Sequence, residues 1–182
     1  MNDKDIKIKT EIEGILKNNL SGVKLKTYFE DMPDKKIRRA IHILAAIYPD
    51  KEIISDNNFL FIPYMLSNKK MLSQQSFPDF IRSLNLINFN EHQKSILVNT
   101  IKENLQALCE ICTFELDDLL IKIFPKSDLF KYFEALIENC SNAVLWHISN
   151  ILRYEDFSNI SDEALENLKD HILSISIGSQ AR

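Results

Sequence analysis

The chain has 182 residues, of which 45% are hydrophobic and 26% charged, and its formal net charge is −4 at pH 7. This composition is that of an ordinary globular protein and excludes collagen-like and disordered chains. The longest apolar runs, such as residues 43–48 and 59–62, are far shorter than the roughly 20 residues that cross a bilayer, and the amino end lacks a signal-peptide segment. We therefore predict one domain, residues 1–182, in the cytoplasm.

The glycine and cysteine contents exclude further classes of protein. Only Gly14, Gly22 and Gly178 are present, whereas phosphate-binding loops and tight β-hairpin turns favour glycine where the backbone adopts positive φ. Three cysteines in a chain without an export signal indicate reduced thiols and not a disulfide framework. The sequence thus favours helices over sheets and predicts no cofactor.

Apolar residues recur every three to four positions along most of the chain, which is the spacing of amphipathic helices. Pro33 and Pro78 suit first turns, while Pro49 and Pro125 stop the apolar runs that precede them. Pro63 lies inside an apolar run and predicts a short or kinked helix. In chain order, the predicted helices cover residues 3–19, 23–30, 34–48, 59–67, 78–87, 91–110, 114–124, 128–139, 142–154 and 162–175.

Helix start signals support these boundaries in the second half of the chain. A Ser, Thr or Asn before the first turn can accept a hydrogen bond from a backbone amide that has no helical partner. Asn90 is followed three residues later by Gln93, which is a capping-box pattern. The other predicted N-caps are Thr113, Ser127, Ser141 and Ser161.

The last four predicted helices form two pairs joined by short polar turns, 114–124 with 128–139 and 142–154 with 162–175. An isolated pair would leave its apolar stripe exposed, so neighbouring pairs must stack. We predict an all-α fold, an irregular α-solenoid of stacked antiparallel helix pairs. A compact helical bundle has the same periodicity and is the alternative.

Charge is distributed unevenly along the chain. Residues 1–95 contain 15 Lys and Arg against 12 Asp and Glu, whereas residues 96–182 contain 7 against 14. The acidic half is a poor surface for nucleic acid and suits a basic protein partner. The basic run 35–39 begins a helix that soon becomes apolar, and we interpret it as a solvated helix face and not a phosphate-binding track.

Cys109 and Cys112 form a CxxC pair at the end of a predicted helix. A structural zinc site requires four ligands, but Cys140 stands alone and the four histidines are widely scattered. The pair also lacks the neighbouring strand of a redox motif. We interpret these cysteines as small buried hydrophobic residues and predict no metal site.

Trp146 and His147 raise the question of an active site. A catalytic base needs a positioned nucleophile or carboxylate, and the spacing along the chain identifies none. We predict a structural histidine at the edge of the core, a packed tryptophan, and a protein that is not an enzyme. The alternatives are a hydrolase-like site, in which His147 acts with Cys140 or a carboxylate, and a Trp146 that anchors an interface.

Adjacent carboxylates occur in several helices and turns. Neighbouring helical residues diverge by about 100°, so such pairs do not form a shared acid–base couple. One such pair, Glu155 and Asp156, lies in a turn at the negative end of a helix and is flanked by Tyr154 and Phe157. Exposed aromatic residues are enriched at recognition surfaces. The predicted protein-binding residues are Asp117, Asp118, Tyr154, Glu155, Asp156 and Phe157.

Residues 143–172, AVLWHISNILRYEDFSNISDEALENLKDHI, combine an apolar helix, a turn with aromatic and acidic residues, and the pattern S-D-E-A-L-x-x-L. This segment resembles the terminal HEAT-like helical pair of small bacterial immunity proteins, which neutralise toxins of contact-dependent growth inhibition and related polymorphic systems. The resemblance covers about 30 residues and transfers no site residue. It implies a non-enzymatic cytoplasmic inhibitor that binds one toxin domain, often a nuclease.

The acidic charge of residues 96–182 agrees with that implication. A nuclease toxin needs a basic cleft, so an acidic inhibitor can occupy the cleft and gain association rate from complementary fields. We therefore expect a monomeric immunity protein whose acidic half binds a basic, nuclease-like toxin domain, without direct contact with nucleic acid or membrane. The alternative is a helical adaptor or regulatory module of a larger assembly that uses the same surface.

Overall fold

The computed structural model describes residues 3–17, 20–48, 55–137, 139–158 and 160–180, and within these ranges the fold is all-α without strands. The predicted fold class is therefore confirmed. The helices are α1 (Asp3–Leu16), α2 (Ser21–Glu30), α3 (Asp34–Ile47), α4 (Asp56–Phe59), α5 (Phe61–Ser67), α6 (Lys69–Leu72), α7 (Phe77–Leu84), α8 (Glu91–Ile111), α9 (Phe114–Ile123), α10 (Lys126–Leu136), α11 (Asn142–Tyr154) and α12 (Asp162–Gln180).

Two short helices, α4 and α6, were not predicted. Each has four residues, which is too short for an apolar repeat to be visible, and each begins at a side-chain cap, Ser55 or Asn68. Pro63 is the third residue of α5, where its missing N–H removes no helical hydrogen bond, so α5 continues through it. Pro49 and the predicted end of the first helix at residues 18–19 lie outside the described residues.

The predicted N-caps have mixed outcomes. The capping box is confirmed. The backbone N–H of Gln93 donates to the side-chain oxygen of Asn90 at 2.9 Å, and the backbone N–H of Asn90 donates to the side-chain oxygen of Gln93 at 3.2 Å. Ser141 and Ser161 also accept hydrogen bonds from the first turns of α11 and α12. Thr113 precedes α9 but makes no side-chain cap bond. The predicted N-cap Ser127 was wrong, because α10 begins two residues earlier than predicted, after an N-cap at Pro125.

Many of the helix contacts join helices that are near one another in chain order. Both predicted pairs are in contact, α9 with α10 and α11 with α12, while α1 packs on α3, α3 on α7, α7 on α9 and α9 on α11. Buried apolar side chains form one continuous cluster between Ile12 and Ile172. The stacking of these helices into an α-solenoid stays a prediction, with the compact bundle as its alternative.

Candidate functional site

A buried histidine–carboxylate cluster joins α9 to α11. The Nδ1 atom of His147 lies 2.5 Å from Oδ1 of Asp117, and Nε2 lies 3.1 Å from the carbonyl oxygen of Cys112 and 3.3 Å from that of Cys109. The side-chain amide of Asn150 donates to the second oxygen of Asp117. Both nitrogens of the ring therefore face hydrogen-bond acceptors of the protein.

Two predictions about this cluster were wrong. We expected His147 at the edge of the core, but it is buried, since Val144 three residues before it and Ile151 four residues after it flank it on the same buried face. We predicted Asp117 as a protein-binding residue, but only 3% of it is exposed. Asp117 faces α11 and holds His147 and Asn150, so no partner protein can contact its carboxylate directly.

The cysteines beside this cluster are buried, as the sequence predicted. Burial raises the pKa of Cys109 to about 12, with a smaller contribution from the nearby charge of Asp117. Burial likewise raises the pKa of Cys112 to about 12. Thiols with such pKa values are almost entirely protonated at neutral pH and are poor nucleophiles.

An exposed aromatic pair lies above the buried cluster. Phe114 is 58% exposed and Trp146 is 45% exposed, and their rings meet edge to face with centroids 5.5 Å apart. The indole ring of Trp146 also meets the ring of His147 at 4.9 Å and 90°. The indole ring of Trp146 therefore packs against the buried His147 and against Phe114 of α9, and part of it remains exposed to solvent.

The sequence prediction did not include Phe114, although its position carried a signal. The apolar stripe of α9 includes Leu116, Leu119 and Leu120, all buried. Phe114 is two residues from Leu116, about 200° around the helix, so it points away from the core. An aromatic residue off the stripe of an amphipathic helix is a candidate contact.

The first turn of α9, which carries Phe114, is fixed to α7. Glu115 accepts a hydrogen bond from Arg82 at 2.5 Å and one from the Thr113 hydroxyl at 2.9 Å. Burial alone would raise the pKa of Glu115, but hydrogen bonds from its own backbone, Thr113 and Arg82 outweigh burial and lower it. The Asn85 amide also donates to the Glu115 carbonyl oxygen at 2.9 Å.

Acidic groups continue this surface toward the end of α11. Asp118 lies one turn after Phe114 on the same side of α9, is exposed, and forms no ion pair with any residue that the structure describes. Its pKa is raised by partial burial and by the negative charges of Asp117, Glu115 and Glu155. Glu155 pairs with Lys126 at 3.4 Å.

The turn after α11 exposes only part of the predicted set. Tyr154 is 71% exposed and Asp156 is exposed, as predicted. Phe157, predicted as an exposed contact, is only 4% exposed and packs against Phe130 with ring centroids 6.2 Å apart. That expectation was wrong, because the turn folds back and buries its last aromatic residue. We define the acidic–aromatic face as Phe114, Asp118, Trp146, Tyr154, Glu155 and Asp156.

Comparisons of the chain with family models, with curated proteins and with solved structures find no match. In the part of the chain that the structure describes, no group of three or more His, Cys, Asp and Glu side chains could hold a metal ion. Within the same ranges no helix has the length and apolar character to cross a bilayer.

Proposed function

We propose that this chain is a non-enzymatic immunity protein that binds and neutralises a toxin domain with a basic, nuclease-like cleft through the acidic–aromatic face. The observation that carries the proposal is the exposed pair of Phe114 and Trp146 beside the exposed carboxylate of Asp118. Two aromatic anchors beside negative charge are the features with which a protein surface binds a basic partner.

Electrostatics favour a cationic occupant of this face. The pKa of Asp118 is raised because its charge is partly buried and lies among Asp117, Glu115 and Glu155. A lysine or arginine of a partner would offset that repulsion, so the complex gains favourable interaction that the free protein lacks. Complementary charge also accelerates association.

The aromatic pair supplies the apolar part of the interface. Trp146 contacts Phe114 on one side and the buried ring of His147 on the other, which restricts its rotamers before any partner arrives. An anchor that is already ordered loses little conformational entropy on binding. Tryptophan and tyrosine are also the residues most enriched at interface hot spots.

A non-catalytic role agrees with the state of the reactive groups. Both nitrogens of His147 have acceptors within the protein, so neither is available to take a proton from a substrate. Cys109 and Cys112 have raised pKa values and lack accessible thiolates.

The test looks for a toxin gene beside the gene of this chain and purifies the encoded toxin domain as an inactive variant, with binding followed by surface plasmon resonance. Asp118→Lys with Asp156→Lys reverses two exposed charges and keeps the Glu155–Lys126 ion pair. We expect the association rate at low salt to fall at least about tenfold, and raised salt to remove most of this difference. Trp146→Ala should instead increase the dissociation rate, by about 30-fold if it removes a hot spot worth about 2 kcal/mol.

The matched control reverses two exposed acids of the same half elsewhere, Glu103→Lys with Glu134→Lys, and should leave binding and protection of toxin-producing cells nearly unchanged. Equal losses in both double variants would mean that net charge matters and the face does not. If the neighbouring genes encode no toxin that the protein binds or neutralises, the proposal is wrong and a helical adaptor for another protein becomes the better hypothesis.

A further inference from the structure

A second open surface lies at the other end of the chain, between α1, α2 and the start of α3. It is a groove of about 1180 Å³ that is bounded by all three helices and by the turn at Met32 and Pro33. The groove is larger than a pocket for a drug-sized ligand and is open along one side, which suits a segment of another protein.

The floor of this groove is apolar. Ile8 and Ile15 of α1, Tyr28 of α2 and Met32 contribute to it, and Val23 at its edge is 57% exposed. Ile8 and Ile15 are one heptad apart on the same side of α1, so the apolar floor follows that helix. A ligand must therefore bring apolar groups of its own along a similar length.

Five lysines line the groove, and none forms an ion pair with any residue that the structure describes. They come from all three helices and are Lys4, Lys7, Lys24, Lys35 and Lys36. By contrast, nearby Lys9 and Lys26 pair with carboxylates one turn along their helices, at 3.6 Å and 3.9 Å. Among the described residues, the five positive charges in the groove therefore have no ion-pair partner.

Three carboxylates also line the groove, against six basic side chains that include Arg39, so the lining is net positive. Asp31 is exposed, and the other two carboxylates have partners within the lining. Asp5 is buried and binds the guanidinium of Arg39 through both of its oxygens, so that pair ties α1 to α3. Glu11 accepts a hydrogen bond from the Tyr28 hydroxyl at 2.7 Å, which links α1 to α2. Burial raises the pKa of Tyr28, with further contributions from this bond and from the charge of Glu11.

We infer that the groove between α1, α2 and α3 binds an acidic amphipathic helix of a second protein, with its apolar side on the floor and its carboxylates on the five lysines. Helix-in-groove recognition needs apolar anchors at spacings of three, four and seven residues, and the one-heptad spacing on α1 offers matching positions. The phosphates of nucleic acid would neutralise the charges of the lysines, but they would place hydrophilic groups against the apolar floor. The site carries the opposite charge to the acidic–aromatic face and does not rest on the proposed function.

The probe is a synthetic 18-residue peptide, about 27 Å long as a helix, with leucine on one side and glutamate on the other, labelled for fluorescence anisotropy. We expect saturable binding to the full chain that weakens as salt is raised. Lys7→Glu with Lys24→Glu should weaken binding at least about tenfold, because two attractive contacts become repulsive. Val23→Asp, at an exposed position, should weaken it as well.

Two controls distinguish binding in the groove from a general effect of charge. Lys69→Glu with Lys131→Glu makes the same change of charge at exposed positions outside the groove and should bind like the original chain. A peptide with lysine in place of every glutamate should not bind at this site. Amide shifts in NMR spectra of the complex should map to α1, α2 and the start of α3.

Several results would overturn the inference. These are the absence of saturable binding up to about 1 mM peptide, equal weakening by both double variants, or amide shifts confined to another surface. A further such result is tighter binding of duplex DNA, or of anionic phospholipid vesicles, than of the peptide, with loss of that binding in the groove variant. Either outcome would assign the lysines to phosphate binding and contradict a protein partner.

Discussion

Trp146 and His147 are adjacent in sequence but lie in opposite environments. Adjacent residues of a helix point about 100° apart, so the indole ring reaches solvent while the imidazole ring is buried against α8 and α9. The histidine forms its bonds with residues 30 or more positions earlier. The same dipeptide thus contributes an exposed anchor and a structural link between helices.

The buried pair of His147 and Asp117 should be strongly coupled in stability. His147→Leu or Asp117→Leu alone leaves one uncompensated buried polar group and should lower the free energy of unfolding by about 3–5 kcal/mol. The double variant should cost clearly less than the sum of the two, because no charge is left without a partner. Urea unfolding of all four proteins measures this coupling.

Asp118→Leu is the control for that experiment. It removes the next carboxylate along α9, which is exposed, and should change the free energy of unfolding by about 0.5 kcal/mol or less. Strictly additive losses in the cycle of His147 and Asp117 would show that the two side chains do not stabilise each other.

At the scale of helices, α2 lies very close to α4. A Cβ atom on Gly22 would lie 2.2 Å from the carbonyl oxygen of Asn57, so no other residue fits there without a backbone shift. Beside this contact, the hydroxyl of Ser21 donates to the Asn58 side chain, and Tyr48 donates to the Asn58 carbonyl oxygen at 2.7 Å. Gly22 therefore allows the close contact between α2 and α4.

Two glycine-to-alanine substitutions should have opposite effects. Gly22→Ala should lower the free energy of unfolding by about 1–3 kcal/mol, because it forces α2 away from α4. Gly14→Ala is its matched control in α1, where an added Cβ meets no atom within 4 Å, and it should raise stability by up to about 1 kcal/mol. Chemical unfolding of both variants tests this; destabilisation by both would mean that helix propensity is not the dominant effect at Gly14.

At the scale of the whole molecule, charges of opposite sign occupy different surfaces. Five lysines line the groove of α1, α2 and α3, and carboxylates lie on the acidic–aromatic face of α9 and α11. Such a distribution favours two partners of opposite charge. It also leaves repulsion within each surface when the partner is absent.

Asp118→Asn should reveal that repulsion through its dependence on pH. The pKa of Asp118 is raised in the folded protein, so its ionised form is less favourable there than in the unfolded chain. The substitution should therefore stabilise the free protein slightly near pH 7, and the gain should disappear near pH 3, where the unfolded chain is largely protonated too. Thermal unfolding at both pH values measures the difference, and an equal or larger gain near pH 3 would contradict this account.

The sequence by itself determined the all-α class and the positions of the longer helices. Apolar spacing and caps such as Asn90 and Ser141 act within one turn of the chain, so their effect is visible in a short window of sequence. The exposure of Tyr154 and Asp156 was also predicted, because they lie at the polar turn that follows a helix.

Only the tertiary structure decided the rest of the candidate site. Asp117 is buried because α11 places His147 and Asn150 against it, and Phe157 is buried because its turn packs on Phe130. The lysine-lined groove likewise exists only where three helices meet. Periodicity shows which side of a helix is apolar but not which helix will cover it, because that depends on contacts between residues far apart in the chain.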